Sequence, residues 1–76
     1  MTNFVIKHLN EADIMWGHTI SGSVWIKTNG YHTQLHYDIE AFLIKNGYVY
    51  DFNRSISNFD NTTGKTTSYL KERKAS

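Results

Sequence analysis

Apolar and polar residues alternate on both sides of Asn29 and Gly30, over residues 24–37 of the chain. An Asn-Gly pair supplies the two positive-φ residues of a type I′ turn, and such a turn between alternating segments is a strong hairpin signal. The pattern therefore predicts an antiparallel hairpin in which Val24 lies opposite Leu35.

The N-terminal segment has weaker signals. Residues 3–9 alternate well enough to predict a strand. Asn10 is a good N-cap residue, and Gly17 is suited to the position just after a helix. We therefore expect one short helix over residues 10–16.

The segment after Tyr37 allows two interpretations. The strand can continue to a second Asn-Gly turn at residues 46–47, which keeps its apolar residues on the core face. Alternatively, Asp38 caps a helix over residues 39–46, which Glu, Ala, Leu and Lys favour by propensity. Short apolar runs do not decide between these two alternatives.

The last third of the chain is polar. Residues 53–68 are dominated by Asn, Ser, Thr, Asp and Gly, which predicts a long loop with at most one more short strand. Residues 69–76 form a basic segment that reads as a frayed tail. The expected fold is one α+β domain over residues 1–68, an antiparallel β-meander of three to five strands with one or two short helices.

Composition narrows the class of protein. The chain has 76 residues and no cysteine, which excludes disulfides and thiolate metal sites. A domain of this size buries only about 60–65% of its unfolded surface, so a partner, including a second copy, often adds stability. A net charge of +1 argues against a strongly basic nucleic-acid binder. With no readable signal peptide or membrane span, we expect a cytoplasmic protein without membrane contact.

Two short motifs resemble cofactor sites but lack necessary parts. His32 and His36 have the H-x-x-x-H spacing of helical zinc sites, yet on the predicted strand they lie about 13 Å apart. Gly64-Lys65-Thr66 matches the end of a P-loop, but Phe59 stands where that motif requires glycine. The sequence therefore predicts neither a metal nor another cofactor.

The predicted hairpin directs a tryptophan to its polar face. Tryptophan is enriched at the energetic centres of protein interfaces. The alternative role for this side chain is packing beneath the helix or the loop. The proposed partner-binding residues on this face are Trp25, Lys27, His32, Gln34 and His36.

The first functional hypothesis is a small non-enzymatic protein-interaction module that binds another protein or its own copy. In size, lack of cysteine and richness in Asn, Ile, Lys and Tyr, the chain resembles accessory proteins of phages and mobile elements. Such proteins commonly bind and inhibit one host enzyme. The resemblance therefore implies an inhibitor.

Two other hypotheses compete with it. In the first, the protein binds single-stranded nucleic acid, because sheet aromatics stack bases while cations contact phosphates. The second is a small metal-dependent enzyme, in which His32 or His36 would act with Glu40 or Asp51. The proposed phosphate contacts are Lys65, Lys71, Arg73 and Lys74.

Overall fold

A computed structural model describes residues 1–54 and 57–73. It confirms the α+β class, the antiparallel sheet and the short N-terminal helix. Both helices contribute to one hydrophobic core on the same face of the sheet. The elements in chain order are α1 (Asn3–Glu11), β1 (Met15–His18), β2 (Val24–Asn29), α2 (Gln34–Lys45), β3 (Tyr48–Tyr50), β4 (Asn58–Asp60) and β5 (Lys65–Glu72).

Strand β5 is central to the sheet, which does not follow the simple meander order. The strands run β1-β2-β5-β3, with β4 also pairing with β5, and every pair is antiparallel. Residues 69–72, predicted as part of a tail, are the end of this central strand. Its inward residues Thr66 and Ser68 are polar, so the alternation that marks a strand is hard to see in the sequence.

The predicted hairpin at residues 29–30 is wrong. Gly30 does turn the chain, with φ +98°, but the turn leads into α2 and not into a paired strand. Val24 lies opposite His18 and Leu70, not opposite Leu35. The helical alternative for residues 39–46 is confirmed, and the helix begins earlier than predicted.

Local capping explains where α2 begins. The side chain of Thr33 accepts a hydrogen bond from the backbone N–H of His36, and Thr33 itself is extended, as an N-cap residue is. From there Ile39 and Leu43, four residues apart, enter the core together. The apparent alternation of residues 31–37 thus spans a turn and the first helical turn.

The first helix also lies earlier than predicted. Thr2 caps it by accepting from the Val5 N–H at 3.3 Å, and Val5 and Leu9 pack in the core. The prediction of a strand over residues 3–9 and a helix over 10–16 is therefore wrong in its bounds. The four-residue spacing of Val5 and Leu9 is the helical signal, and the later residues of the predicted helix form β1 instead.

We expect Thr33→Ala to lower the free energy of unfolding by about 1 kcal/mol, because it removes the N-cap acceptor of α2. Urea unfolding measures this loss. Thr62→Ala, in the exposed β4–β5 turn, is the matched control and should change stability by less than about 0.5 kcal/mol. Equal values for the two variants would contradict this capping role.

Candidate binding site on the open face of the sheet

The sheet has one face that the helices do not cover. Buried and partly exposed residues alternate along both central strands, β2 and β5, and the buried ones point toward the helices. We call the opposite side the open face. Its residues on these two strands are Trp25, Lys27, Asn29, Lys65, Thr67, Tyr69 and Lys71.

Two aromatic residues occupy opposite positions on adjacent strands at the centre of the open face. Trp25 of β2 is the direct cross-strand partner of Tyr69 of β5, and on its other side it faces Gly17 of β1. A Cβ atom on Gly17 would lie only 2.8 Å from Cζ2 of the indole. The indole of Trp25 therefore lies directly against the β1 backbone, in space that only glycine leaves free.

Cations surround this aromatic pair. The Lys27 Nζ lies 5.8 Å from the centre of the Trp25 ring, and the Arg54 guanidinium lies 5.1 Å from the centre of the Tyr69 ring. Both distances suit cation–π interactions. Every charged side chain that β2 and β5 direct to the open face is a lysine. The carboxylate of Asp60 on β4 borders this face beside Lys65.

A shallow groove runs beside the aromatic pair, between the central strands and β4. It has a volume of about 310 Å³. Aromatic, cationic and hydroxyl groups come from the central strands, and an amide and a carboxylate come from β4. The lining residues are Trp25, Lys27, Thr67, Tyr69, Asn58 and Asp60.

The structure separates the five residues proposed for partner binding. Trp25 and Lys27 lie on the open face, whereas the other three belong to the turn and helix that replace the predicted strand. His32 precedes α2 at φ +44°, and Gln34 is an exposed helical residue whose side chain donates to Asp38. His36 is fully buried on the helix side of the sheet.

The cations proposed for phosphate contact are also divided. Lys65 and Lys71 lie on the open face, and Arg73 is exposed just beyond β5. Lys74 lies outside the described residues. Tyr69 was not identified as a site residue from the sequence. The signal that would have identified it is the alternation along residues 65–71, which places every second residue from Lys65 to Lys71 on the same face of a strand.

A cluster of buried polar side chains lies on the opposite side of the sheet. His36 and Glu40, one turn apart on α2, are both buried, and His36 Nε2 lies 3.4 Å from Glu40 Oε2. Both ring nitrogens of His36 form hydrogen bonds with side chains of the sheet: Thr28 Oγ1 lies 2.9 Å from Nδ1, and Ser68 Oγ lies 2.7 Å from Nε2. The Ser68 hydroxyl in turn donates to Glu40.

The carboxylate of Glu40 is saturated with donors. It accepts from the hydroxyls of Ser57 at 2.7 Å and Tyr50 at 3.1 Å, besides Ser68. Burial raises the pKa of Glu40, but hydrogen bonds from His36, Ser57 and Ser68 outweigh burial and lower that pKa from 4.5 to about 2. The group is therefore a buried carboxylate at neutral pH.

This cluster is not arranged as a nucleophilic site. In a catalytic triad the hydroxyl and the carboxylate lie at opposite nitrogens of the imidazole. Here Ser68 and Glu40 both lie beside Nε2 of His36, and the Ser68 hydroxyl donates to the carboxylate. The hydroxyl at the opposite nitrogen is that of Thr28, which is only 1% exposed. His36 and Ser68 have no exposed surface at all, so no substrate reaches them in this conformation. The cluster joins α2 to the sheet.

Other features give no further indication of function. Within residues 1–54 and 57–73, no three His, Asp or Glu side chains are grouped to hold a metal ion. Neither α1 nor α2 has the length and apolar character that crossing a membrane requires. Comparison of the chain with protein families, curated proteins and solved structures finds no match. The functional argument therefore depends on the residues of this chain.

We expect Glu40→Gln to lower the free energy of unfolding at pH 7 by about 2–4 kcal/mol, because the new amide leaves buried donors unpaired. The folded-state pKa lies below the unfolded value, so the carboxylate stabilises the fold fully above pH 4.5 and loses this effect as pH falls toward 2. Over that window the wild type should lose about 3 kcal/mol more than the variant.

Urea unfolding at pH 7 and at several acidic pH values measures both effects. Asp38→Asn changes an exposed carboxylate on the same helix and serves as the control. It should change stability by less than about 0.5 kcal/mol at pH 7. If Glu40→Gln follows the pH dependence of the wild type, the carboxylate does not have the role described.

We expect Gly17→Ala to displace the Trp25 indole, because the added Cβ overlaps the ring. Overpacking of this kind costs about 1–3 kcal/mol where the structure resists it. Tryptophan fluorescence, recorded in a Trp16→Phe background, should show a change in the environment of Trp25. The spectrum of the Gly17→Ala protein is compared with that of the Trp16→Phe protein. Gly22→Ala is not used as a control, because Gly22 has φ +91° and any side chain there would be strained.

Proposed function

We propose that this chain is a small non-enzymatic binding module that holds an anionic macromolecule on the open face of its sheet. The observation that carries this proposal is the Trp25–Tyr69 pair with Lys27 and Arg54 beside the two rings. Tryptophan, tyrosine and arginine are the residues most enriched at the energetic centres of interfaces. Here all three meet on one surface.

The open face supports binding better than the other exposed apolar residues do. Phe4, Ile20 and Phe52 are exposed as well, but they lie on a helix or in connecting segments. Isolated exposed apolar residues are common on protein surfaces, whereas Tyr31 is part of an aromatic group at the turn before α2. Trp25 and Tyr69 instead lie on hydrogen-bonded strands, which fix their relative positions more firmly than loops do.

An anionic partner fits the charges of this face. Three lysines of the central strands and Arg54 lie on or beside this face, against the carboxylates of Asp60 and Asp13 at its borders and of Asp51, 3.9 Å from the Arg54 Nε. The central strands themselves contribute only cations to it. Complementary charge speeds association and fixes orientation. The proposal is for binding and not for catalysis, because the histidine–glutamate pair of this chain is enclosed on the other side of the sheet.

A protein partner remains a prediction for this same face. An acidic protein surface would meet both the cations and the aromatic rings. Inhibition of a host enzyme is implied by the resemblance of the composition to phage accessory proteins, and it would need the partner to be such an enzyme. Recovery of the bound macromolecule is the direct way to identify its class.

We expect Trp25→Ala to abolish capture of the partner from a cell lysate, with protein and nucleic acid both assayed in the eluate. Trp25 is half-buried, so the change should cost only about 1–2 kcal/mol of stability, which urea unfolding checks. Tyr37→Ala removes an exposed aromatic ring from α2 and is the matched control. If the folded Trp25→Ala protein still captures the partner in full, the open face is not the binding surface.

A further inference from the structure

We infer that the macromolecule held on the open face is single-stranded nucleic acid, its bases stacked on Trp25 and Tyr69 and its phosphates held by neighbouring cations. This inference rests on the proposed function, because it assumes that the open face is the binding surface. It adds the chemical class of the ligand. Three properties of the face support it, namely the placement of the rings, the distribution of charge and the shape of the surface.

The rings are placed as stacking platforms. The Trp25 indole lies against the bare backbone at Gly17, and Tyr69 is its direct partner on the next strand, where opposite Cα atoms are about 5 Å apart. Both side chains are partly exposed. Aromatic rings on a sheet stack unpaired bases of any sequence, since every base has a π face.

The cations follow the length of the face. Lys65 and Lys71 lie at opposite ends of β5, about 20 Å apart at the rise of an extended strand, and Lys27 lies between them on β2. Arg54, against the Tyr69 ring, lines a second depression with Lys71, which Asp51 and Glu72 also line, and its Nε lies 3.9 Å from Asp51 Oδ2. A single strand of a few nucleotides therefore passes within reach of three lysines, and of Arg54, which it would share with Asp51.

The shape of the face favours a single strand over a duplex. Bases in a duplex are stacked on each other and cannot stack on sheet aromatics without being unpaired. An acidic protein surface would also meet the cations and the rings, but every unpaired base presents a flat π face that stacks on an exposed ring. An unpaired strand uses both features at once, because its bases stack on the rings while its phosphates meet the cations.

Fluorescence anisotropy with labelled oligo-dT and oligo-rU of about 12 nucleotides tests the inference on the full chain. We expect saturable binding at 50 mM NaCl that weakens about 20- to 50-fold at 200 mM, as three to four phosphate contacts require. In a Trp16→Phe background, the fluorescence of Trp25 should be quenched as the strand binds. A duplex of the same length should bind at least about 10-fold more weakly.

Variants assign the binding to the open face. Trp25→Ala should weaken binding at least about 5-fold, the smaller end of the effect of losing one stacked base. Lys27→Gln and Lys71→Gln should each reduce the slope of log affinity against log salt by about 0.7. Lys7→Gln and Lys45→Gln, which remove cations from the helices, are matched controls and should leave binding unchanged.

Three results would overturn the inference: no binding of either oligonucleotide at 50 mM NaCl, binding of poly-glutamate as tight as that of the oligonucleotides, or equal losses in the helix and strand lysine variants. Failure of the inference is separable from failure of the proposed function. If no strand binds but a protein is captured in a Trp25-dependent way, the open face is still the binding surface and the ligand is a protein.

Discussion

The buried carboxylate of Glu40 is the constraint on which the rest of the fold depends. An ionised carboxylate removed from water must be saturated with hydrogen bonds, because an unpaired buried charge costs several kcal/mol. Its donors come from three places in the chain: Tyr50 of β3, Ser57 before β4 and Ser68 of β5. The fold that satisfies Glu40 must therefore bring all these segments beneath α2.

The same requirement sets the register of the open face. Ser68 lies opposite Ile26 on β2, and both point toward the helix layer. Because side chains alternate across a strand, the next residue, Tyr69, falls on the other side and opposite Trp25. A slip of one residue would expose Ser68 and bury Tyr69. The polar cluster on one side of the sheet thus fixes the aromatic pair on the other.

The elements that the sequence predicts correctly are those whose pattern is local. The alternation of β2 by itself places Trp25 and Lys27 on the face opposite the core, although the hairpin that the sequence predicts for this strand is wrong. Strand β5 could not be recognised in this way, because its inward residues Thr66 and Ser68 are polar. Polar residues at these buried positions are explained by the structure, in which His36 and Glu40 of α2 pack against this part of β5 and bond to Ser68.

Helix α2 shows a second limit of local patterns. The segment of residues 31–37 alternates over too few residues to distinguish a strand from a turn that leads into a helix. The decisive interactions are the N-cap at Thr33 and the burial of His36, and the second of these depends on Thr28 and Ser68 from other strands. Partners distant in sequence decide the conformation, so the sequence pattern alone left it open.

The near-neutral net charge of the chain does not show how its acidic and basic side chains are distributed over the structure. Carboxylates on this protein are largely engaged in its own structure: Glu40 is buried, Asp51 accepts from Ser23 at 2.6 Å, and Glu72 faces the N-terminal amine at 3.5 Å. The lysines of the central strands have no such role in the core and extend from the open face. A net charge of +1 is thus compatible with a row of lysines on the central strands, even though Asp60 lies beside Lys65 and Asp51 lies beside Arg54.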